Sequence, residues 1–164
     1  MTTTFGQKNK LNVSSPSFQD NGWIPKKHTD FGEDASPAFH LEGLSKDAVS
    51  IAIVMDDLDI PFLDAYNHWI IWNIPSMTQI PENISYGAIV EKLGNAKQGI
   101  GYGKNRYRGP KQPIFIRKMH RYQFDFYVLD CFLALKSTAK KRELLLAVDG
   151  HIVQTGRITG QYKR

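Results

Sequence analysis

A mostly β fold is what this sequence predicts, and three observations carry the prediction. Residues 119–130 alternate aromatic and polar side chains over a full strand length, the pattern of a sheet with one buried face. Two further runs, 48–55 and 68–74, are dense in Val, Ile and Trp, as buried strands are. Proline and glycine are scattered along the chain rather than pooled in a linker, which suits many short strands joined by turns.

Taken in order, residues 1–10 read as a loose tail and 11–164 as a single domain. Pro16, Asn21-Gly22 and Pro25 punctuate the first part of that domain, so it is expected to be extended with turns. Residues 48–55 form the first strong strand. In the second, 68–74, alternation places His68, Ile70, Trp72 and Ile74 on one face. The stretch from Pro75 to Pro113 is rich in Gly and Pro with little periodicity and is expected to be largely loops. In residues 119–130, His120, Tyr122, Phe124, Phe126 and Val128 share one face, and Arg121, Gln123, Asp125 and Tyr127 share the other. Residues 138–148 are the one helical pattern. Thr138 is the expected N-cap, Leu144, Leu145, Ala147 and Val148 make the apolar side, residues 140–143 face solvent, and Asp149-Gly150 ends it. Residues 151–158 read as a closing strand.

With 164 residues the chain is long enough for one core without disulfides. It has a single cysteine, Cys131, so no internal disulfide exists, which suits a reducing compartment. The polar first residues lack the apolar segment of a secretory signal, and no apolar run is long enough for a bilayer. A soluble, cytoplasmic protein is expected. The formal charge of +5 favours anionic partners through long-range attraction but is too small to imply nucleic acid.

Candidate chemistry lies in three segments, each with an ordinary structural explanation. Asp57 and Asp59 follow a buried strand, where acidic residues are usually turn formers. His68 opens an apolar strand, where a lone histidine is more often a hydrogen-bonded core residue than a ligand group. Gly109-Pro110 is ordinarily only a turn, and His120-Arg121-Tyr122 opens the aromatic strand. If those strands are neighbours, two imidazoles and two carboxylates converge on one pocket. A carboxylate beside an imidazole fixes its tautomer and favours the imidazolium, and imidazolium donors can hold a phosphate-like anion. In that reading Gly109 lets an anion approach the backbone, Pro110 stiffens the loop, and Tyr107 and Tyr122 wall the site.

These residues carry a pattern. Asp57-Leu58-Asp59-Ile60-Pro61, then His68-Trp69-Ile70-Ile71-Trp72-Asn73-Ile74-Pro75, then Tyr107-Arg108-Gly109-Pro110, then His120-Arg121-Tyr122-Gln123-Phe124 stand in the order and spacing of the phosphatidylethanolamine-binding protein family. The chain most closely resembles that family's bacterial and archaeal branch, often called Raf-kinase-inhibitor-like. Supporting matches run from Ser15-Pro16 and Asn21-Gly22-Trp23-Ile24-Pro25 through Ser36-Pro37 to Gly150-His151-Ile152-Val153 and Gly160-Gln161-Tyr162.

The resemblance implies a large central β-sheet packed on a smaller one, with few peripheral helices. It implies an anion pocket lined by Asp57, His68, Gly109, Pro110, His120 and Tyr122, with Asp59 and Pro61 supporting the loop and a cis bond before Pro61; Tyr107, as a wall residue, and Lys111, by its charge, are the further supporting candidates of this chain. It implies a non-enzymatic binding protein without a cofactor. Its partners would be a small phosphorylated or anionic ligand and a kinase or protease regulated by direct contact; some bacterial relatives pair as homodimers. The chain departs from the pattern at Leu58, at Ile60, at Lys111-Gln112-Pro113 and in the bulky run 114–119. Lys111 would add positive charge beside the pocket, and Ile114, Phe115 and Ile116 would narrow or cover its mouth.

Two other functions compete. Asp57, His68 and His120 have the composition of a facial metal triad, and hence of a metal-dependent enzyme or hydrolase. Against a nucleophilic enzyme, Cys131 reads as core and no serine occupies a nucleophile elbow. Lys104, Arg106, Arg108 and Lys111, interleaved with Tyr102 and Tyr107, have the composition of a single-strand nucleic-acid grip.

Overall fold

The computed structural model describes residues 10–164. The expected tail therefore lies outside the described residues, except for Lys10, which already bridges to Thr155. Ten strands and one α-helix follow in order: β1 (Asn12–Ser14), β2 (Gly22–Trp23), β3 (Phe39–Glu42), β4 (Ser50–Asp57), β5 (Tyr66–Pro75), β6 (Gln79–Ile80), β7 (Ile89–Val90), β8 (Ala96–Gln98), β9 (His120–Leu129), α1 (Lys141–Val148) and β10 (Ile152–Tyr162). Single 3-10 turns stand at Lys26–His28 and Glu91–Leu93.

The strands form a seven-stranded sheet, β2-β10-β9-β4-β5-β8-β7, and a three-stranded sheet, β1-β3-β6. All pairs are antiparallel except β10 with β2. The large sheet packed on a smaller one is the expected arrangement. β4 sits at the centre, between β9 and β5, and every one of its residues is buried. That placement explains the unbroken apolar run 51–55 at its middle, because a strand covered on both faces has no solvent-facing side there to make polar.

The two faces of the large sheet bury different clusters. Ile51, Ile53, Met55, Trp69, Ile71, Phe124, Phe126 and Val128 face the small sheet and pack on Phe39 and Leu41. Phe39 meets Phe126 edge-on, with ring centroids 5.0 Å apart. Ala52, Val54, Ile70, Trp72 and Leu129 face the other way and pack under Leu144 and Val148 of α1. The alternation expected for residues 119–130 is the one observed. Among the described residues, no helix is long and apolar enough to cross a membrane.

β5 departs from the expected alternation at both ends. Only Ile70 and Trp72 lie on the helix side; Ile74 lies with Trp69 and Ile71 against the small sheet. The cause is two register shifts against β4. Ile51 pairs with Ile74 and Ile53 with Ile71, so an extra residue is accommodated near Asn73, whose φ is 59°. Met55 pairs with Trp69 and Asp56 with Asn67, which leaves His68 opposite no residue. A β-bulge of this kind turns a side chain away from the face that alternation assigns it.

The helix is shorter than expected. Residues 137–138 form a turn, Lys140 is the N-cap in place of Thr138, and the Lys140 N–H donates to the Glu143 carboxylate at 3.1 Å. Lys141 does not simply face solvent, because its ammonium reaches Asp56 at 2.5 Å. Cys131 is not a core residue; it is partly exposed just beyond the end of β9.

Truncating the aromatic contact between the two sheets tests this packing. Phe126→Ala is expected to cost about 3–5 kcal/mol, the range for deleting a fully buried ring. Chemical denaturation monitored by tryptophan fluorescence reads that loss.

Candidate functional site

At the end of the large sheet where β4 runs out, β5 begins and β9 begins, the three strands enclose a cavity of about 240 Å³. Adjacency of the three strands places it there. Asp57 pairs with Tyr122 of β9 on one side and with Tyr66 of β5 on the other. Asp57, His68, His120, Tyr122, Tyr66, Tyr102 and Lys111 line the cavity together with Gln112 and an apolar wall of Ile60, Pro61, Leu63, Pro113 and Ile116.

The floor is a buried network. Asp57 accepts the Nδ1 hydrogen of His120 through Oδ2 at 2.8 Å and the backbone N–H of Asp59 through Oδ1 at 2.9 Å. Nδ1 of His68 donates to the carbonyl of Arg108 at 2.8 Å. A carbonyl oxygen only accepts, and so does a carboxylate, so the partners require the proton of both rings to sit on Nδ1. Among the described residues neither Nε2 has a hydrogen-bond partner. When neutral, each Nε2 is an acceptor; as part of an imidazolium, each is a donor.

The surroundings set the charge of this floor. His68 is buried and boxed edge-on by Tyr102, Tyr122 and Tyr66, with centroids 4.9, 5.5 and 6.0 Å away. Burial pulls its pKa below the ordinary 6.5, against the opposing effects of the Arg108 carbonyl and the Asp57 charge. Burial, reinforced by Asp57, pushes the Tyr122 hydroxyl far above the usual phenol range. That hydroxyl stays protonated, lies beside Asp57, and makes no hydrogen bond among the described residues. A buried donor without a partner costs about 1–3 kcal/mol.

Four anticipated residues lie around the cavity wall rather than on it. Asp59 is held outside by Arg121, whose backbone N–H, Nε and Nη2 donate to it at 2.7, 3.0 and 2.9 Å. That guanidinium draws the Asp59 carboxyl below its usual pKa and ties the loop after β4 to β9. Tyr107 is buried in the core edge-on to Trp69, and its hydroxyl donates to the His28 carbonyl at 2.7 Å. Gly109 is close to backbone rather than to open space. A Cβ there would collide with the His28 carbonyl, and its N–H already donates to Asp34 at 2.8 Å. Pro110 is buried, and its carbonyl accepts from Asp30 at 3.0 Å. Gly109 and Pro110 act on the site indirectly, by fixing the Arg108 carbonyl that orients His68.

The bond before Pro61 is trans, not cis; the described residues contain no cis peptide. Residues 60–63 form a tight turn closed by the Leu63 N–H on the Ile60 carbonyl at 3.3 Å, with Phe62 at φ 68°. Proline at the second position and positive φ at the third are the features of a type II turn, which uses a trans proline. The turn throws Phe62 fully into solvent, and Ile114 and Phe115 across the mouth are 73% and 80% exposed. These two side chains do not line the cavity and do not cover it, and Ile116 alone of the three lies in its lining.

Sequence reasoning did not single out Tyr66, Gln112 or Asp34. Tyr66 had a usable signal, two residues before His68 in the same strand. Gln112 had none: its amide donates to the Tyr162 carbonyl at 3.1 Å, a contact made only by the fold. Asp34 accepts from Arg106 at 2.5 Å and from Gly109, and so holds the 106–109 loop.

The competing sites fare differently. Among the described residues, the donor atoms of Asp57, His68 and His120 do not all come within 4.8 Å of one another. The basic loop is largely satisfied internally. Arg106 pairs with Asp34 and lies over Tyr86, Arg108 and Lys111 both approach Asp30 at 3.7 Å, and Tyr107 is buried. Only Lys104 of the proposed grip is fully exposed.

Comparison with known proteins follows the same line. Residues 14–163 match the sequence profile of the family described as phosphatidylethanolamine-binding protein. A UPF0098 protein of Pyrococcus horikoshii is 41% identical over 159 residues, covering 96% of this chain and 79% of its own. The crystal structure of a phosphatidylethanolamine-binding protein homologue from Chlamydia trachomatis superposes with a TM-score of 0.82 at 29% identity, over 95% of this chain and 99% of that one. E. coli YbcL, described as a member of the mammalian family, superposes with a TM-score of 0.83 at 23% identity, over 94% and 99%, a likeness of fold. The chain belongs to the phosphatidylethanolamine-binding protein family.

Proposed function

We propose that this protein is a non-enzymatic binding module whose pocket takes a small organic anion, a phosphoryl or similar group carrying a short apolar substituent. The observation that carries this reading is the pairing of an unsatisfied polar floor with an apolar wall. The Nε2 atoms of His68 and His120 and the hydroxyl of Tyr122 can all donate to an anion once the rings are protonated. Lys111 adds a fixed positive charge at the edge. Above them, Ile60, Pro61, Leu63, Pro113 and Ile116 offer contact to a carbon substituent. The cavity of about 240 Å³ is just below the usual drug-sized range of about 300–1,000 Å³, so the substituent is short. Binding is the reading because the strongest base of the floor, the Asp57 carboxylate, is already engaged by His120 and the Asp59 N–H, and the lining has no Ser, Thr or Cys. Regulation of a kinase or protease, the role that the resemblance implies, would bring the partner across the rim of Phe62, Leu63, Ile114 and Phe115.

Calorimetry with a short alkyl phosphate and with inorganic phosphate tests the ligand class. Tighter binding of the alkyl ester is expected, by up to about 0.8 kcal/mol per buried methylene; equal or weaker binding would refute the apolar-wall reading.

Substitution separates binding from folding. His120→Asn keeps a donor at the Nδ1 position for Asp57 and deletes Nε2. It is expected to weaken binding by about tenfold or more, with little change in Tm. His120→Ala strands the buried Asp57 and is expected to cost about 3–5 kcal/mol of stability as well. Tyr122→Phe removes the unpartnered hydroxyl, so stability is expected to rise by about 1 kcal/mol while affinity falls.

The pH dependence has a definite sign. Anion capture needs the imidazolium, and burial holds the free His68 below 6.5. Affinity is therefore greatest below that depressed pKa and falls as pH rises past it, by up to about tenfold per pH unit for one proton taken up. An alkyl sulfonate, whose charge is constant in this range, isolates the protein's contribution. A flat profile would remove the histidines from the mechanism.

A further inference from the structure

A second group of donor side chains lies at the far end of β9 from the pocket, roughly 30 Å away along the strand. Asp130 directly follows β9 and His151 directly precedes β10. The last ladder pair, Leu129 with Ile152, brings the two together, and the Asp130 N–H donates to the His151 carbonyl at 3.0 Å. Their side chains also meet, with Nδ1 of His151 2.9 Å from Oδ1 of Asp130. Cys131 is the next residue. Its carbonyl is held by the hydroxyl of Ser50, the first residue of β4, at 2.5 Å. One donor atom from each of Asp130, Cys131 and His151 lies within 4.8 Å of the other two, the one such group among the described residues.

We propose that Asp130, Cys131 and His151 form a binding site for a divalent transition-metal ion of the zinc type. A thiolate, an imidazole and a carboxylate are all zinc donors, with bonds of about 2.3, 2.0–2.1 and 2.0–2.2 Å. Bonds of those lengths at tetrahedral angles put the donors roughly 3.3–3.7 Å apart, so closing the group on an ion takes small rotamer adjustments. Hydrogen bonds to the His151 carbonyl and from Ser50 anchor the backbone that carries the three side chains. Thiolate and carboxylate together offset the charge of the ion, and the soft sulfur selects against calcium and magnesium. Asp130 and His151 are about half exposed, so an ion enters from solvent without opening the fold. Three protein donors leave a fourth position for water or another ligand.

Cobalt(II) is the probe, added to the metal-free full-length protein and followed by absorbance. One ion per chain is expected, with a thiolate-to-cobalt charge-transfer band in the near ultraviolet that zinc(II) displaces. Cys131→Ser is expected to abolish the band and weaken binding by more than about tenfold. His151→Ala and Asp130→Asn are expected to weaken binding by about tenfold, and circular dichroism checks that each variant is folded. His120→Asn, which acts on the pocket, is expected to leave the cobalt band and its affinity as they are, which keeps this site separate from the pocket. Absence of uptake, a band that survives Cys131→Ser, or binding that His120→Asn removes and Cys131→Ser spares would each overturn the proposal.

Discussion

The buried bond between Asp57 and His120 is the constraint from which the site is built. It spans the two central strands of the large sheet, since Asp57 ends β4 and His120 starts β9. Three consequences follow from one contact. The carboxylate is satisfied by hydrogen bonds in a place where an unpartnered charge would be costly. The ring is locked in one tautomer, so its remaining nitrogen has a fixed chemical character. The loop after β4 is held closed, because the second oxygen of the same carboxylate caps the Asp59 N–H. The Asp59–Arg121 pair then fastens that loop to β9 from outside.

Much of this was readable from the chain. The central strands declared themselves by composition, and the face assignments in β9 needed only a period of two. The order of the motifs was enough to bring Asp57, His68, His120 and Tyr122 together. What was not readable has a common physical origin. Gly109 looked like an opening for ligand, yet its missing side chain admits the backbone at His28. Tyr107 looked like a wall residue, yet its hydroxyl serves a carbonyl in the core. Both are answers to contacts with segments some eighty residues away in the chain, and neither local pattern encodes the partner. Ile60-Pro61 went astray for a different reason: a type II turn and a cis turn use the same dipeptide, and the backbone angle of Phe62 separates them.

The cavity combines a polar base with an apolar rim, and the charge of the protein reinforces the base. Arg108 and Lys111 approach Tyr102 to 5.2 and 6.0 Å from its ring centre, while Asp30 partly offsets both. The positive field at the mouth is thus moderated rather than raw. Under the proposed function, an anion would gain attraction on approach, and its final affinity would rest on hydrogen bonds from the floor below.

The irregularity at His68 has a wider meaning for how such a pocket tolerates change. Because that residue has no partner across the ladder, its side chain is released from the matching rules that bind its neighbours Asn67 and Trp69. Residue identity there is set instead by contacts around the cavity, the Arg108 carbonyl on Nδ1 and the rings of Tyr66, Tyr102 and Tyr122, rather than by pairing within the sheet. Removing a residue would be another matter. A strand one unit shorter would fall back into step with β4, and whatever occupied the position would be carried through the sheet to the side of α1, leaving the floor with a single imidazole.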